Sequence, residues 1–297
     1  MTTKLLGAAF CAVALTISST AFAGAAVKDL TKDLNLTARA KVFTEMGTEK
    51  GKDAEIKSTN TNITLKFDKE AGVLLNVFGE LSGDIDINGT SDTISTRFGY
   101  IGIKNDKLGA LSIGKTMSIM DVYVDKADVF QNSGNQGVQK TPFKLTNSWK
   151  YEKTIGDFGF GAQGQIEDDA KDETFDLVQY GVTYKGIGAV VAIDQSEDIN
   201  YYGVGAKEDI GKFMAAGSFT IKDAAVDVRG YELAVGYMVT PVVQVIGGWQ
   251  DTDATADDGN ITAGAYYTIG KAQLFAEGDY DLDSEESVAR IGLDIKF

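Results

Sequence analysis

Ala289-Arg290-Ile291-Gly292-Leu293-Asp294-Ile295-Lys296-Phe297 closes the chain with an apolar side chain at every second position and a charged or small residue between. In an extended strand successive side chains point to opposite faces, so a period of two gives one oily and one wet face. Ile291, Leu293, Ile295 and Phe297 fall on the oily side, Arg290 and Lys296 on the wet side. The final residue is aromatic and keeps the pattern, so the terminus itself is expected to be part of a sheet.

Followed towards the N-terminus, the alternation recurs at spacings of about ten residues, separated by glycine-rich or acidic breaks. It predicts about sixteen strands. They fall near 34–43, 60–68, 73–83, 94–104, 110–117, 145–153, 158–167, 175–185, 188–194, 199–207, 212–221, 227–238, 241–251, 259–268, 271–280 and 286–297. The breaks alternate between tight (68–72, 105–109, 154–157, 185–188, 207–211, 239–241, 269–270) and longer, more acidic ones. Val178, Tyr180, Val182 and Tyr184 oppose Gln179 and Lys185, and Tyr231, Leu233, Val235 and Tyr237 oppose Glu232. A charged face is costly in a dry core and cheap against water. The fold class predicted is all-β, a transmembrane antiparallel barrel with apolar residues towards lipid and polar ones towards a lumen. Its last strand should close against the first, around Leu34 to Phe43. Tyr100, Trp149, Tyr151, Phe158, Tyr184, Phe213, Tyr237, Trp249 and Tyr267 are candidates for interfacial girdles.

At the other end, Lys4, an apolar run from Leu5 to Ile17 and the small-residue site Ala21-Phe22-Ala23 have the layout of a secretory signal peptide. Residues 1–23 are expected to be removed after Ala23, leaving 24–297 as the barrel. The single cysteine, Cys11, would leave with the signal, so no disulfide or thiol chemistry is expected.

Composition narrows the function. The net charge is −15, one unit more negative without Lys4, which argues against nucleic acid as a partner. Mean hydropathy is near neutral, and no apolar stretch after the signal is long enough for a helical span. Histidine is absent, which removes the usual general base and a preferred zinc ligand. No catalytic residue, metal site or cofactor is expected. Asp168-Asp169 and Glu285-Glu286, like Asp251, Asp253, Asp257 and Asp258, read as solvated loop charge.

The longest connection, 118–144, carries Asp121, Asp125 and Asp128 beside Met117, Ile119, Met120, Val122 and Tyr123. Apolar residues do not suit a freely solvated loop, and long structureless loops are usually functional or disordered. The expectation is a third loop folded into the barrel, with its apolar side on the wall and its carboxylates towards the opening, forming the constriction.

The stretch Arg97-Phe98-Gly99-Tyr100-Ile101-Gly102-Ile103-Lys104, the glycine-bounded strand Gly109 to Gly114, the acidic third loop and terminal Phe297 together resemble the general diffusion porins of Gram-negative outer membranes. The resemblance covers nearly the whole chain. It implies that Arg97 is a wall arginine, that Lys144 opens the strand after the loop, and that Asp121 and Asp125 are loop acids facing wall bases. Parity adds Arg39 and Lys41 to that wall. Asn62 stands where the second strand often has an arginine, and the Pro-Glu-Phe-Gly-Gly loop motif is missing. The resemblance also implies a homotrimer in outer-membrane lipid and lipopolysaccharide, and an assembly signature at Ile291, Leu293, Ile295 and Phe297.

Lys115 shares the oily face of Leu111 and Ile113, where a mid-depth lysine costs about 2–4 kcal/mol. Either a neighbouring subunit covers it or it snorkels to the headgroups. The function expected is passive diffusion of small hydrophilic solutes and ions, with weak cation preference. A substrate-specific channel would need an aromatic track, and inward Phe78, Tyr201, Tyr266 and Phe275 are too dispersed to make one. A structural or receptor barrel binding cations or host ligands is the remaining alternative.

Overall fold

A computed structural model of the chain describes residues 34–47, 53–71, 75–87, 94–133, 137–166, 175–254 and 259–297. The signal peptide with its cleavage site and the acid pairs Asp168-Asp169 and Asp257-Asp258 lie outside them.

Seventeen β segments form one antiparallel sheet. The first four are β1 (Leu34–Gly47), β2 (Glu55–Ser58), β3 (Asn62–Glu70) and β4 (Asn76–Ile85). Then come β5 (Ile94–Asn105), β6 (Gly109–Met117), β7 (Lys144–Ile155), β8 (Phe158–Gln165) and β9 (Leu177–Tyr184). Next follow β10 (Ile187–Asp194), β11 (Ile199–Ile210), β12 (Phe213–Asp223) and β13 (Val228–Thr240). The last four are β14 (Val243–Thr252), β15 (Asn260–Ile269), β16 (Ala272–Asp281) and β17 (Ser287–Lys296).

Segments β2 and β3 are two halves of one barrel strand, because both pair with β1. Their registers differ by one residue, Val42 opposite Ser58 but Arg39 opposite Asn62, and Asn60 between them takes a positive φ of 53°. The barrel therefore has sixteen strands. It closes where β1 meets β17, from Arg39 opposite Lys296 to Gly47 opposite Val288, and Phe297 N donates to Ala38 O at 2.8 Å. Each of the sixteen expected strands overlaps an observed one; the second begins earlier than expected, at Glu55.

Burial alternates as parity requires. On β13, Glu232 and Ala234 are buried while Leu233 and Val235 are exposed; on β9, Gln179 is fully buried while Tyr180 and Val182 are exposed. Apolar side chains thus cover the outside, and polar ones line the inside. Aromatic residues pair across strands on the outer face, Phe158 with Tyr184 at 4.7 Å, Phe213 with Tyr237 at 4.8 Å and Phe219 with Tyr231 at 5.2 Å. Such pairs contribute about 0.5–1.5 kcal/mol each beyond area burial. Tyr100 is not a girdle residue: it points inward, and its hydroxyl donates to Glu80 Oε2 at 3.1 Å. Lys185, expected inward with Gln179, instead sits in a turn with its ammonium over the Tyr184 ring.

Short turns join β5 to β6, β7 to β8, β9 to β10, β11 to β12, β13 to β14 and β15 to β16, all at the end of the barrel where β1 begins and β17 ends. The connection from β3 to β4 lies at this end too, and the remaining connections, the long one from β6 to β7 among them, lie at the other. Among the described residues no helix is long and apolar enough to cross a membrane.

Candidate channel lumen

The connection between β6 and β7 starts with a one-turn helix, α1 (Ile119–Val124), capped by the Ser118 hydroxyl, which accepts from Met120 N. Ile119, Met120 and Val124 are fully buried against β8 to β11. Approach this close requires bare backbone on the wall. A Cβ on Gly188 would lie 2.0 Å from Tyr123 O, one on Gly205 1.8 Å from Val124 O, and one on Gly230 1.7 Å from Gly137 O. These inward glycines let the segment lie directly on the sheet.

Side chains of the wall then satisfy the segment's backbone donors. Gln163 accepts from Ile119 N at 2.8 Å, Gln179 from Met120 N at 3.0 Å, Ser218 from Lys126 N at 3.0 Å and Thr220 from Gln139 N at 2.7 Å. Glu232 accepts from Gly137 N at 3.1 Å. Glu277 accepts from three successive amides, Gln131, Asn132 at 2.9 Å and Ser133 at 3.2 Å, and from the Tyr266 hydroxyl at 2.7 Å. The segment therefore follows the polar face from β8 round to β17 and β1.

The remaining arc, β3 to β7, pairs its own charges. Asp68 pairs with Lys104 and Lys66 with Glu80 at 3.1 Å across strands, while Lys150 pairs with Glu152 at 3.1 Å along β7. Asp84 serves two cations, Arg97 at 2.9 Å and Lys144 at 3.1 Å. Lys66, Lys104 and Asp68 are exposed, and such water-facing pairs contribute only about 0–1 kcal/mol each to stability. Their effect is on the local field.

Arg97 reaches this wall through an irregularity. On strict parity it would follow Gly99 and Ile101 to the lipid side, but the β4–β5 register shifts at Ser82/Gly83, so that Phe98 and Thr96 have partners and Arg97 has none. That β-bulge turns the guanidinium inward, as bulges do, where it bonds Asp84 and Asn60 and lies 5.6 Å from the Phe98 ring. Lys144 lies 5.6 Å from the Phe143 ring.

The expected opposition of loop acids and wall bases is altered in three places. Asp121 and Asp125 accept from Lys140 of their own segment, at 2.8 Å for Asp121. Asp125 does not face the opening; its side chain is 2% exposed, whereas Asp128 is exposed. Lys41 is inward but fully buried, because Gln131 O lies over its ammonium at 2.6 Å, so it is removed from the water-accessible ring. Arg39 bonds Asp294 through two nitrogens, each at 2.8 Å, and also reaches Gln131. Burial pushes the Asp121 carboxyl up, with Lys140 opposing it. Burial also works against the Lys140 ammonium, but Asp125 and Asp121 outweigh it and hold its pKa above the usual lysine value.

Lys140, Asp84 and Glu277 escaped the sequence reading. Parity extended along β4 and β16 would have found the two carboxylates on the inner face; nothing periodic marks Lys140. Asp84→Asn is expected to leave Arg97 and Lys144 without their shared anion. The zero-current potential of the reconstituted variant in a salt gradient should move towards anion preference, and an unmoved potential would place this trio outside the permeation path.

A sequence model of the Gram-negative porin family matches residues 8–286. No curated protein matches by sequence. Among solved structures, the trimer form of OmpT, an outer membrane protein of Vibrio cholerae, superposes with a TM-score of 0.72 at 18% identity, covering 89% of this chain and 99% of that one. The anion-selective porin from Comamonas acidovorans gives 0.72 at 13% identity, over 89% and 99% of the two chains. A variant of the Rh. blastica porin gives 0.74 at 14% identity, over 89% and 100%.

Proposed function

Because this chain belongs to the Gram-negative porin family and is an outer-membrane channel barrel, we propose that it passes small hydrophilic solutes and ions by passive diffusion, with weak cation preference and without enzymatic activity. One observation carries the reading: the long segment is bonded along the wall from β8 to β1, while the arc from β3 to β7 keeps exposed, mutually paired charges. A water-filled path beside that arc suits polar solutes, and ion preference follows the few charges at its narrowest part.

The weakness of the preference follows from internal pairing. The described part of the segment carries three acids, Asp121, Asp125 and Asp128, against Lys126 and Lys140. Opposite it, Arg97 and Lys144 share one carboxylate. Small opposite charges on the two sides leave a transverse field that orders water and disfavours apolar solutes. Asp121, Asp128, Arg97 and Lys144 are the residues assigned to the constriction, with Asp125 buried behind them on Lys140 and Arg39 at the edge. A modest cation-side zero-current potential supports this, and anion preference would refute it.

A homotrimer in the outer membrane, after removal of a signal peptide near Ala23, completes the proposal. The trimer form of the Vibrio cholerae protein supports it. So does the outer face: exposed aromatic side chains run from Phe158 on β8 to Tyr280 on β16, while the exposed large apolar residues of β1 to β6, such as Leu36, Ile63, Ile101 and Ile113, include no aromatic. Girdle residues are redundant where a neighbour replaces lipid. Lys115 lies on this arc, its ammonium donating to Thr96 O at 2.7 Å.

A further inference from the structure

Lys140 stands at the centre of the segment's charges. Its ammonium bonds Asp121 at 2.8 Å and also Asp125, and all three side chains are at most 15% exposed. It also interacts electrostatically with Asp128 and with Glu232 of the wall. One cation thus bonds two carboxylates and lies near two further acidic side chains. Two of their oxygens, Asp125 Oδ1 and Glu232 Oε2, are buried and without a hydrogen-bond partner. Lys126, the other base of this part of the segment, is turned elsewhere: its ammonium donates to Val122 O at 2.7 Å.

We propose that Lys140 is the residue that sets the ion preference of this channel, by cancelling the field of the segment's carboxylates before it reaches the opening. The inference rests on the channel reading above and adds the residue on which selectivity turns. Opposite charges a hydrogen bond apart present a dipole to a passing ion, and its field falls off faster than that of the bare carboxylates. Enclosure in the barrel raises the weight of the difference, since partly buried charges are screened less by salt. The charge is what matters, so arginine at 140 should preserve the preference and a neutral side chain of similar length should not.

The test is the zero-current potential of the full-length protein in planar bilayers under a potassium chloride gradient, with wild type, Lys140→Gln, Lys140→Arg and Asp121→Asn/Asp125→Asn compared. Lys140→Gln is expected to raise the cation-over-anion permeability ratio by at least about twofold, the order expected for one charge at a narrow, partly desolvated site. Lys140→Arg should stay with wild type. Asp121→Asn/Asp125→Asn leaves the ammonium unpaired and should shift the ratio towards anions. A Lys140→Gln potential equal to wild type, or a Lys140→Arg potential that follows Lys140→Gln, overturns the assignment. Should Lys140→Gln fail to assemble, the double variant decides alone, an unmoved potential counting against Lys140. Absence of current from wild type would instead defeat the channel reading itself, so the two failures are distinguishable.

Discussion

Gly205→Val is expected to cut the single-channel conductance to about half or less. A Cβ on Gly205 would sit 1.8 Å from Val124 O and 2.7 Å from Val124 C, both backbone atoms that cannot rotate away. The side chain therefore either expels α1 from the wall or fails to fit. Expulsion moves the segment into the lumen and exposes Ile119, Met120 and Val124, now fully buried. Burying each such side chain stabilises by about 1.5–3 kcal/mol, so folded yield should fall as well. The control is Gly247→Val on the outer face, where an added Cβ meets nothing within 4 Å. Conductance per folded channel, compared between the two variants, checks the claim; equal conductance in Gly205→Val and wild type would mean that the segment does not lie on β11.

Glu277→Ala should have the largest effect on the other end of the segment. This one carboxylate, 4% exposed, accepts from the amides of Gln131, Asn132 and Ser133 and from the Tyr266 hydroxyl. Hydrogen bonds to charged groups contribute about 1.5–3 kcal/mol each. Three lost together, allowing for relaxation, cost about 3 kcal/mol or more, which multiplies the detached population by roughly two orders of magnitude. The same loss uncovers Lys41, whose ammonium is capped by Gln131 O. Single-channel recordings of Glu277→Ala should show frequent partial closures absent from wild type, and protease should cut within 126–133. Quiet, wild-type-like openings would show that these bonds do not hold the segment.

The strands were legible because one rule, a period of two, governs any sheet with unlike faces, and Ile291 to Phe297 states it without exception. Sixteen strands and their closure followed from that rule and from the tight turns. What escaped were departures from it. Asn60, with its left-handed φ, splits the second strand into Glu55–Ser58 and Asn62–Glu70. The β4–β5 bulge brings Arg97 inward against its own parity, where only the resemblance to known porins had placed it. The position of Tyr100 near a strand end suggests a girdle aromatic, although its pairing with Glu80 across the strands is inward.

The segment between β6 and β7 was harder to read because irregular backbone has no period to project. Its apolar residues gave away that something buries them. Which carboxylates stay exposed depends on contacts remote in sequence: Asp125 is hidden by Lys140, fifteen residues away, and Lys41 by Gln131, ninety away. Local composition cannot register such pairings. It counted three acids on the loop and four bases on the wall, where the structure has most of them neutralised by nearer partners.

The central claim is a water-filled, weakly cation-preferring channel, and the most direct measurement is the current through single reconstituted barrels under a salt gradient. The account predicts discrete conductance steps, a near-linear current at low voltage and a zero-current potential slightly on the cation side. A barrel that inserts and folds but carries no current, or one whose zero-current potential lies on the anion side, would contradict it.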